Sequence, residues 1–214
     1  MSSQIGKRRK AARKEGAESY QKRRKEIAEA AAIVFNRVGF RSASMEAVAN
    51  ELGTDRATLY YYIGSKEELF DEITREVLEE NVHMSQRLQR SRIPPRDKLE
   101  QLIIAMMVSY GKHYPLLYIY VRENLSHVPK ERSTWAKGMI QLNHDFEKAV
   151  IAIIEEGYKD RTFQNVGDSK IVAYGIIGAM NWSNRWFRPD TSKVGAEEIG
   201  KTFARMILSG LDAD

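Results

Sequence analysis

The run SMEAVANELGTDRATLYYYIGSK, Ser44 to Lys66, constrains this chain most, because its apolar spacing allows two short helices with only a tight turn between them. Met45, Val48, Ala49 and Leu52 recur at steps of three and four residues, an apolar stripe along one helix face. Ser44 precedes the stripe as a candidate N-cap, and Glu46 complements the positive helix N-terminus. Gly53 suits the left-handed residue that ends such a helix, and Asp55 can cap the next one. That second helix is expected to turn Ala57, Leu59 or Tyr60, and Ile63 inward. Arg56, Thr58, Tyr61 and Tyr62 then face outward.

The outward set has the chemistry of a helix that enters the major groove by its N-terminal turn. Arg56 can donate two hydrogen bonds to a guanine, Thr58 offers a hydroxyl and a methyl, and the tyrosine hydroxyls can reach phosphate oxygens. Taken alone, the segment leaves a second reading open: a helical hairpin whose aromatic patch packs on its own domain.

Ser65 and Glu68 follow as an S-x-x-E capping box that opens a further helix. Lys66 lies in its first turn, where a cation opposes the helix dipole by about 0.3–1 kcal/mol. A phosphate partner is therefore expected for it. Together, the residues from Ile27 to Phe70 resemble the DNA-binding domain of TetR-type transcriptional repressors. The resemblance is carried by Phe35, the closing Gly39-Phe40, the Ser44 entry, Leu52-Gly53, Thr58-Leu59-Tyr60-Tyr61-Tyr62 and the SKEELF run ending at Phe70. It covers about 45 of the 214 residues. It implies that Arg56, Thr58, Tyr60, Tyr61 and Lys66 touch DNA and that Ser44 bonds a phosphate. The chain departs from the family pattern at Thr54, usually apolar, and at Asp55, usually Ser or Glu; Asp55 reads as a cap and not as a base contact.

Charge is unevenly distributed. The chain has 34 Lys+Arg and 29 Asp+Glu, a net of +5, yet Met1 to Lys25 alone carries a net +8, leaving about −3 for the rest. Such a basic block cannot bury apolar area, and is expected to be a solvated arm that follows phosphates or, alternatively, only a solubilising tail. With no cysteine, disulfides, thiolate zinc sites and a Cys nucleophile are excluded. No signal-peptide core follows the basic start, and the longest nearly uncharged apolar stretch, Ile171 to Met180, is about half of what spans a bilayer. A soluble, cytoplasmic protein without membrane, metal or cofactor is expected.

Beyond Ser65 the pattern is helical throughout, giving an all-α chain of about nine helices. Residues 1–20 are expected to be a basic flexible arm, 21–66 a helix-turn-helix domain, and 67–214 a helical effector-binding and dimerisation domain. The expected helices run from Lys66 to about Gln89, with Leu69, Phe70, Ile73, Val77 and His83 on or near the inner side, then Arg96 to about His113, Leu116 to about Ser126, and Thr134 to Tyr158. The last two run from Asp168 to about Phe187 and from about Val194 to Leu211. Ile171 to Met180 is apolar on more than one face, and Ile199, Phe203, Met206, Ile207 and Leu211 make a further stripe. Pairing these two helices across a twofold axis would bury the excess, with Gly175 and Gly178 allowing close approach. An ordinary buried central helix is the alternative.

Effector candidates are Met106, Tyr110, Trp135, Met139, Trp182, Arg185 and Trp186, adaptable and aromatic side chains suited to an apolar pocket. Around Trp182 to Pro189 the chain is similar to TetR-type repressors of steroid and fatty-acid breakdown that respond to acyl-CoA thioesters, which implies a small apolar or acyl-CoA-like effector. Arg185 and Arg188 beside indoles suit a phosphate or a base; equally, they suit a dimer edge with Arg groups paired to Glu197 or Glu198. The expected function is a ligand-released repressor that binds a palindromic double-stranded operator as a homodimer. A non-specific architectural nucleic-acid-binding protein is the alternative. An enzyme is not expected, because His83, His113, His127 and His144 are scattered and no nucleophile, zinc or phosphate-loop motif is present.

Overall fold

Apolar steps of three and four residues resolve, in a computed structural model that describes residues 17–126 and 135–212, into nine α-helices among the described residues. They are α1 (Ala17–Ser42), α2 (Met45–Leu52), α3 (Arg56–Tyr62), α4 (Lys66–Arg90), α5 (Pro95–Lys112), α6 (Leu116–Ser126), α7 (Trp135–Asp160), α8 (Ser169–Trp182) and α9 (Ala196–Leu208). The fold is all-α, as its sequence pattern requires. An isolated antiparallel bridge between Phe163 and Asp212 is the only β pairing among the described residues.

The chain divides into two compact units, Met1–Glu76 and Val77–Asp214, so α4 begins in one and ends in the other. In the first unit, Ile27, Ala31, Val34 and Phe35 of α1 are buried with Val48, Leu59, Ile63 and Leu69. Phe35, Phe40 and Phe70 stack around one another at ring separations of 4.6–5.9 Å. Burying each such ring stabilises by about 1.5–3 kcal/mol, and this cluster fixes α1 against the start of α4.

In the second unit α5 packs closely on α9. Gly200 is what allows it: a Cβ there would stand 2.8 Å from the Cα of Ile104, closer than two helices can come with a side chain between them. Lys98, almost fully buried, donates to Glu156 at 2.7 Å and to the carbonyl of Gln89 at 3.1 Å, bracing the end of α4 against α7.

Four local expectations are corrected. Ala57 is exposed instead of inward, because it lies two residues, about 200° of helix, from the buried Leu59. His83 is exposed for the same reason, standing midway between the buried Asn81 and Ser85. The helix expected to reach Phe187 ends at Trp182 and tightens into a 3-10 turn over Ser183–Arg185, where the Ser183 hydroxyl donates back to the Met180 carbonyl at 2.6 Å. The last helix starts at Ala196 and not near Val194, because the Ser192 side chain exchanges hydrogen bonds with Val194 and holds it in a loop.

Candidate nucleic-acid interface and effector cavity

Three caps build the helix-turn-helix. The Ser44 oxygen accepts the Ala47 N–H at 3.1 Å and starts α2. Gly53 adopts φ 69°, ψ 36°, and its N–H satisfies the last carbonyls of α2, a left-handed conformation that a side chain would oppose. Asp55 then starts α3 by accepting the Thr58 N–H at 2.8 Å, while the Thr58 hydroxyl donates to its other oxygen at 2.6 Å. These bonds, the side-chain one foremost, hold the Asp55 carboxyl below the usual carboxylate range.

The outer edge of α3 is polar and pre-arranged. Arg56 is exposed, donates to the Tyr60 hydroxyl at 3.0 Å and lies over the Tyr60 ring at 5.2 Å. One turn of helix thus presents a guanidinium with further donors free to reach a base or a phosphate. Tyr61 is half-buried, edge-on to Tyr62 at 5.1 Å. Tyr62 is held from behind: its ring meets Tyr20, and its carbonyl accepts from Arg24 at 2.9 Å, which also pairs with Glu72.

Two residues carry contacts that sequence spacing does not reveal. The Thr58 hydroxyl, expected to face bases, is engaged by Asp55. The Lys66 ammonium, expected to face a phosphate, donates to the carbonyls of Phe40 at 2.9 Å, Arg41 at 3.2 Å and Ala43 at 2.9 Å. It also lies 4.8 Å from the Phe40 ring centre. All three N–H groups of the ammonium meet the C-terminal end of α1, where carbonyl partial charges favour a cation.

Within the second unit lies a cavity of about 240 Å³. Its apolar wall includes Leu78, Val82, Met106, Leu117, Phe146 and Ile177. Its polar groups come from five helices and are mostly paired across them. Tyr110 of α5 donates to Asn181 of α8, and Asn143 of α7 donates to the Tyr120 hydroxyl of α6 at 2.9 Å. Burial pushes the Tyr110 hydroxyl's pKa up, so it remains a donor. Asn81 of α4 differs: it is 7% exposed and its amide nitrogen has no hydrogen-bond partner among the described residues. An unpaired buried amide costs about 1–3 kcal/mol.

A second surface belongs to α8 and α9. Ile171, Tyr174, Gly175, Gly178 and Trp182 follow one another along a single exposed face of α8, with Ile171 72% and Trp182 63% exposed; Met206 of α9 is 61% exposed. The central-helix alternative is therefore only half met: Ala173, Ile176 and Met180 are buried, and the opposite side is bare.

Residues 27–73 match the family model of bacterial regulatory proteins of the tetR family, and residues 92–211 match that of the tetracyclin repressor-like C-terminal domain. The chain belongs to the TetR family. It is a helix-turn-helix transcriptional regulator, as TetR-family proteins are, and not an enzyme. The HTH-type transcriptional repressor KstR2 of Rhodococcus jostii is 28% identical over 190 residues, 88% of this chain and 91% of that protein. The structure of the ketosteroid transcriptional regulator KstR2 of Mycobacterium tuberculosis superposes with a TM-score of 0.78 at 24% identity, over 90% of this chain and 96% of that one. FadR from Bacillus subtilis, solved in complex with stearoyl-CoA, gives 0.70 at 16% identity over 86% and 97%. At these structural identities the likeness is one of TetR fold.

Against that TetR fold, the effector candidates separate. Met106 and Tyr110 line the cavity; Met139 is buried but is not among its lining residues. Trp182, Arg185 and Trp186 are exposed and stand apart from it, Arg185 lying 5.3 Å over the Trp182 ring. Within the single chain Glu197 meets Lys201 at 2.7 Å and Glu198 meets Arg205 at 3.7 Å, while the pairing expected of Arg185 or Arg188 with them belongs to a dimer edge. The Trp135 side chain and most of the basic arm lie outside the described residues, as does His127. Asn81, Asn143 and Asn181 were missed from sequence. Their signal was a polar residue among apolar neighbours at helical spacing, as Asn81 beside Val77, Leu78 and Val82. Among the described residues no helix is long and apolar enough to cross a membrane, and no cluster of His, Asp or Glu could hold a metal.

Proposed function

We propose that this TetR-family regulator represses transcription in the cytoplasm by binding a palindromic operator as a homodimer, and releases it when a lipid-like effector, an acyl-CoA thioester among the candidates, enters the second unit. The observation that carries the DNA reading is the exposed Arg56–Tyr60 pair on α3. Arg56 is the base-reading residue; Tyr60, Tyr61, Ser44 and the Thr58 methyl make the flanking phosphate and thymine contacts. Lys66 supports them by holding the end of α1.

The bare face of α8 and α9 supports a twofold pair, which would carry two α3 helices at the spacing of successive major grooves, about 34–36 Å. Support for the effector comes from the cavity and from the stearoyl-CoA of the FadR neighbour. At 240 Å³ the cavity is below the usual 300–1,000 Å³ of ligand sites, so only one end of a long ligand fits it as it stands. An effector acts by binding the released and operator-bound states unequally; coupling of about 1–3 kcal/mol weakens operator binding about 5- to 150-fold.

Footprinting on the DNA upstream of its own gene tests the reading. A protected palindrome, with two chains per site in sedimentation, is expected. Uniform coating without a preferred site would make it an architectural protein, and a monomer at micromolar concentration would end the twofold scheme.

A further inference from the structure

We infer that the cavity takes the uncharged, carbonyl-bearing end of an apolar ligand, and that the Asn81 side-chain amide is the donor to that carbonyl. This rests on the ligand-responsive reading above and specifies its chemistry. Three observations carry it.

Asn81 is more than nine-tenths buried and lines the cavity with an amide nitrogen that no described residue engages. The neighbouring polar groups are matched to each other, Tyr110 with Asn181 and Tyr120 with Asn143, so neither pair engages the Asn81 amide. Native proteins rarely leave such a group unmet; a bound acceptor is a direct way to meet it.

The charge of the described lining disfavours an anion. Among the described lining residues there is no Lys, Arg or His, and the single ionisable carboxylate is Glu147, whose oxygen is 3.2 Å from His144 Nδ1 and 3.3 Å from the Tyr174 hydroxyl. A ligand carboxylate or phosphate placed here would lose its hydration with no cation among the described lining residues to answer it. A ketone, ester or thioester carbonyl has the acceptor without the charge.

Size sets the length. At roughly 30 Å³ per water-sized group, the cavity holds about eight non-hydrogen atoms, a ring or a short acyl segment ending at the carbonyl. The position of the donor also matters: Asn81 is on α4, the helix whose first residue is Lys66, so a ligand that bonds Asn81 acts directly on the helix that begins at the DNA-binding unit.

The test titrates three seven- to nine-atom probes into the full-length, ¹⁵N-labelled protein without DNA: cyclohexanone, methylcyclohexane and cyclohexanecarboxylate at pH 7. Cyclohexanone is expected to move the Asn81 side-chain amide signals; methylcyclohexane binds without moving them downfield, and the carboxylate does not bind. In Asn81→Leu, which removes an unmet polar group and keeps an apolar volume, the ketone-to-alkane affinity ratio falls about tenfold. An unchanged ratio, or a carboxylate that binds as well as the ketone, overturns the inference. Should the variant fail to fold, the wild-type titration decides alone, and ketone binding that leaves Asn81 unmoved overturns it. Operator anisotropy with cyclohexanone present separates the two readings. Asn81-dependent binding without an effect on operator affinity removes ligand gating and keeps this site, and gating by a ligand indifferent to Asn81 does the reverse.

Discussion

The ammonium of Lys66 donates to the carbonyl of Ala43 at 2.9 Å, so a cation in the first turn of α4 closes the end of α1 immediately before Ser44 caps α2. Three helix termini meet at one charge. A group that opposes the dipole of its own helix is thereby placed where another helix's carbonyls favour it.

Replacing Lys66 by Met leaves those carbonyls without a partner. The expected loss is about 1–2 kcal/mol of stability, after allowing for partial exposure. Operator affinity falls with it, but the slope of log affinity against log salt stays as in the wild type. Denaturant titration and anisotropy at four salt concentrations measure both; a slope lower by about one would return Lys66 to a phosphate.

Arg56→Ala removes the guanidinium that Tyr60 orients. Operator binding is expected to weaken about 5- to 150-fold, with discrimination lost at one base pair per half-site. Tyr60→Phe, which removes only the hydroxyl that receives Arg56, weakens binding by less and keeps the preferred base. Binding to a panel of single-base operator variants distinguishes the two.

Acid should loosen the start of α3. The Thr58 side-chain hydrogen bond, then the Thr58 backbone bond, hold the Asp55 pKa below its unfolded value. The stabilising contribution is therefore full above the unfolded value near pH 4 and is lost as pH falls through the lower folded value. Asp55→Asn keeps an acceptor that does not titrate. Its stability relative to the wild type rises between pH 5 and pH 2, read as the difference in urea midpoint; a constant difference would remove Asp55 as the source.

Gly200→Ala forces a methyl to within 2.8 Å of the Ile104 backbone, which cannot swing away as a side chain would. The two helices must separate, at an expected cost of about 1–3 kcal/mol in thermal unfolding. Gly210→Ala is the control: the added carbon comes no nearer than 3.6 Å, to the Ile207 carbonyl, an ordinary contact.

Ile171→Glu charges a residue that the folded chain leaves 72% exposed, so the fold itself should be unaffected. Self-association is expected to weaken at least tenfold in sedimentation, with operator affinity falling in parallel. Unaltered association would place the twofold surface elsewhere.

The helix-turn-helix was legible because its determinants are local. Caps, the left-handed glycine and the apolar stripe all act within four residues, so Ser44, Gly53, Asp55 and the α2 stripe can be read directly from spacing. The same locality misdirected Ala57 and His83, where a one-position error in helical phase turns a side chain from core to solvent.

The sequence by itself determined the all-helical class, the order and approximate ends of the helices, and the polar edge of α3, because each depends on neighbours along the chain. Only tertiary structure decided that Lys66 meets carbonyls more than twenty residues away, that Trp182 and Arg185 lie outside the cavity, and that Asn81 is the donor left unmet inside it. Partnership of a buried polar group depends on which helices converge around it, and that convergence is set by packing between segments far apart in sequence.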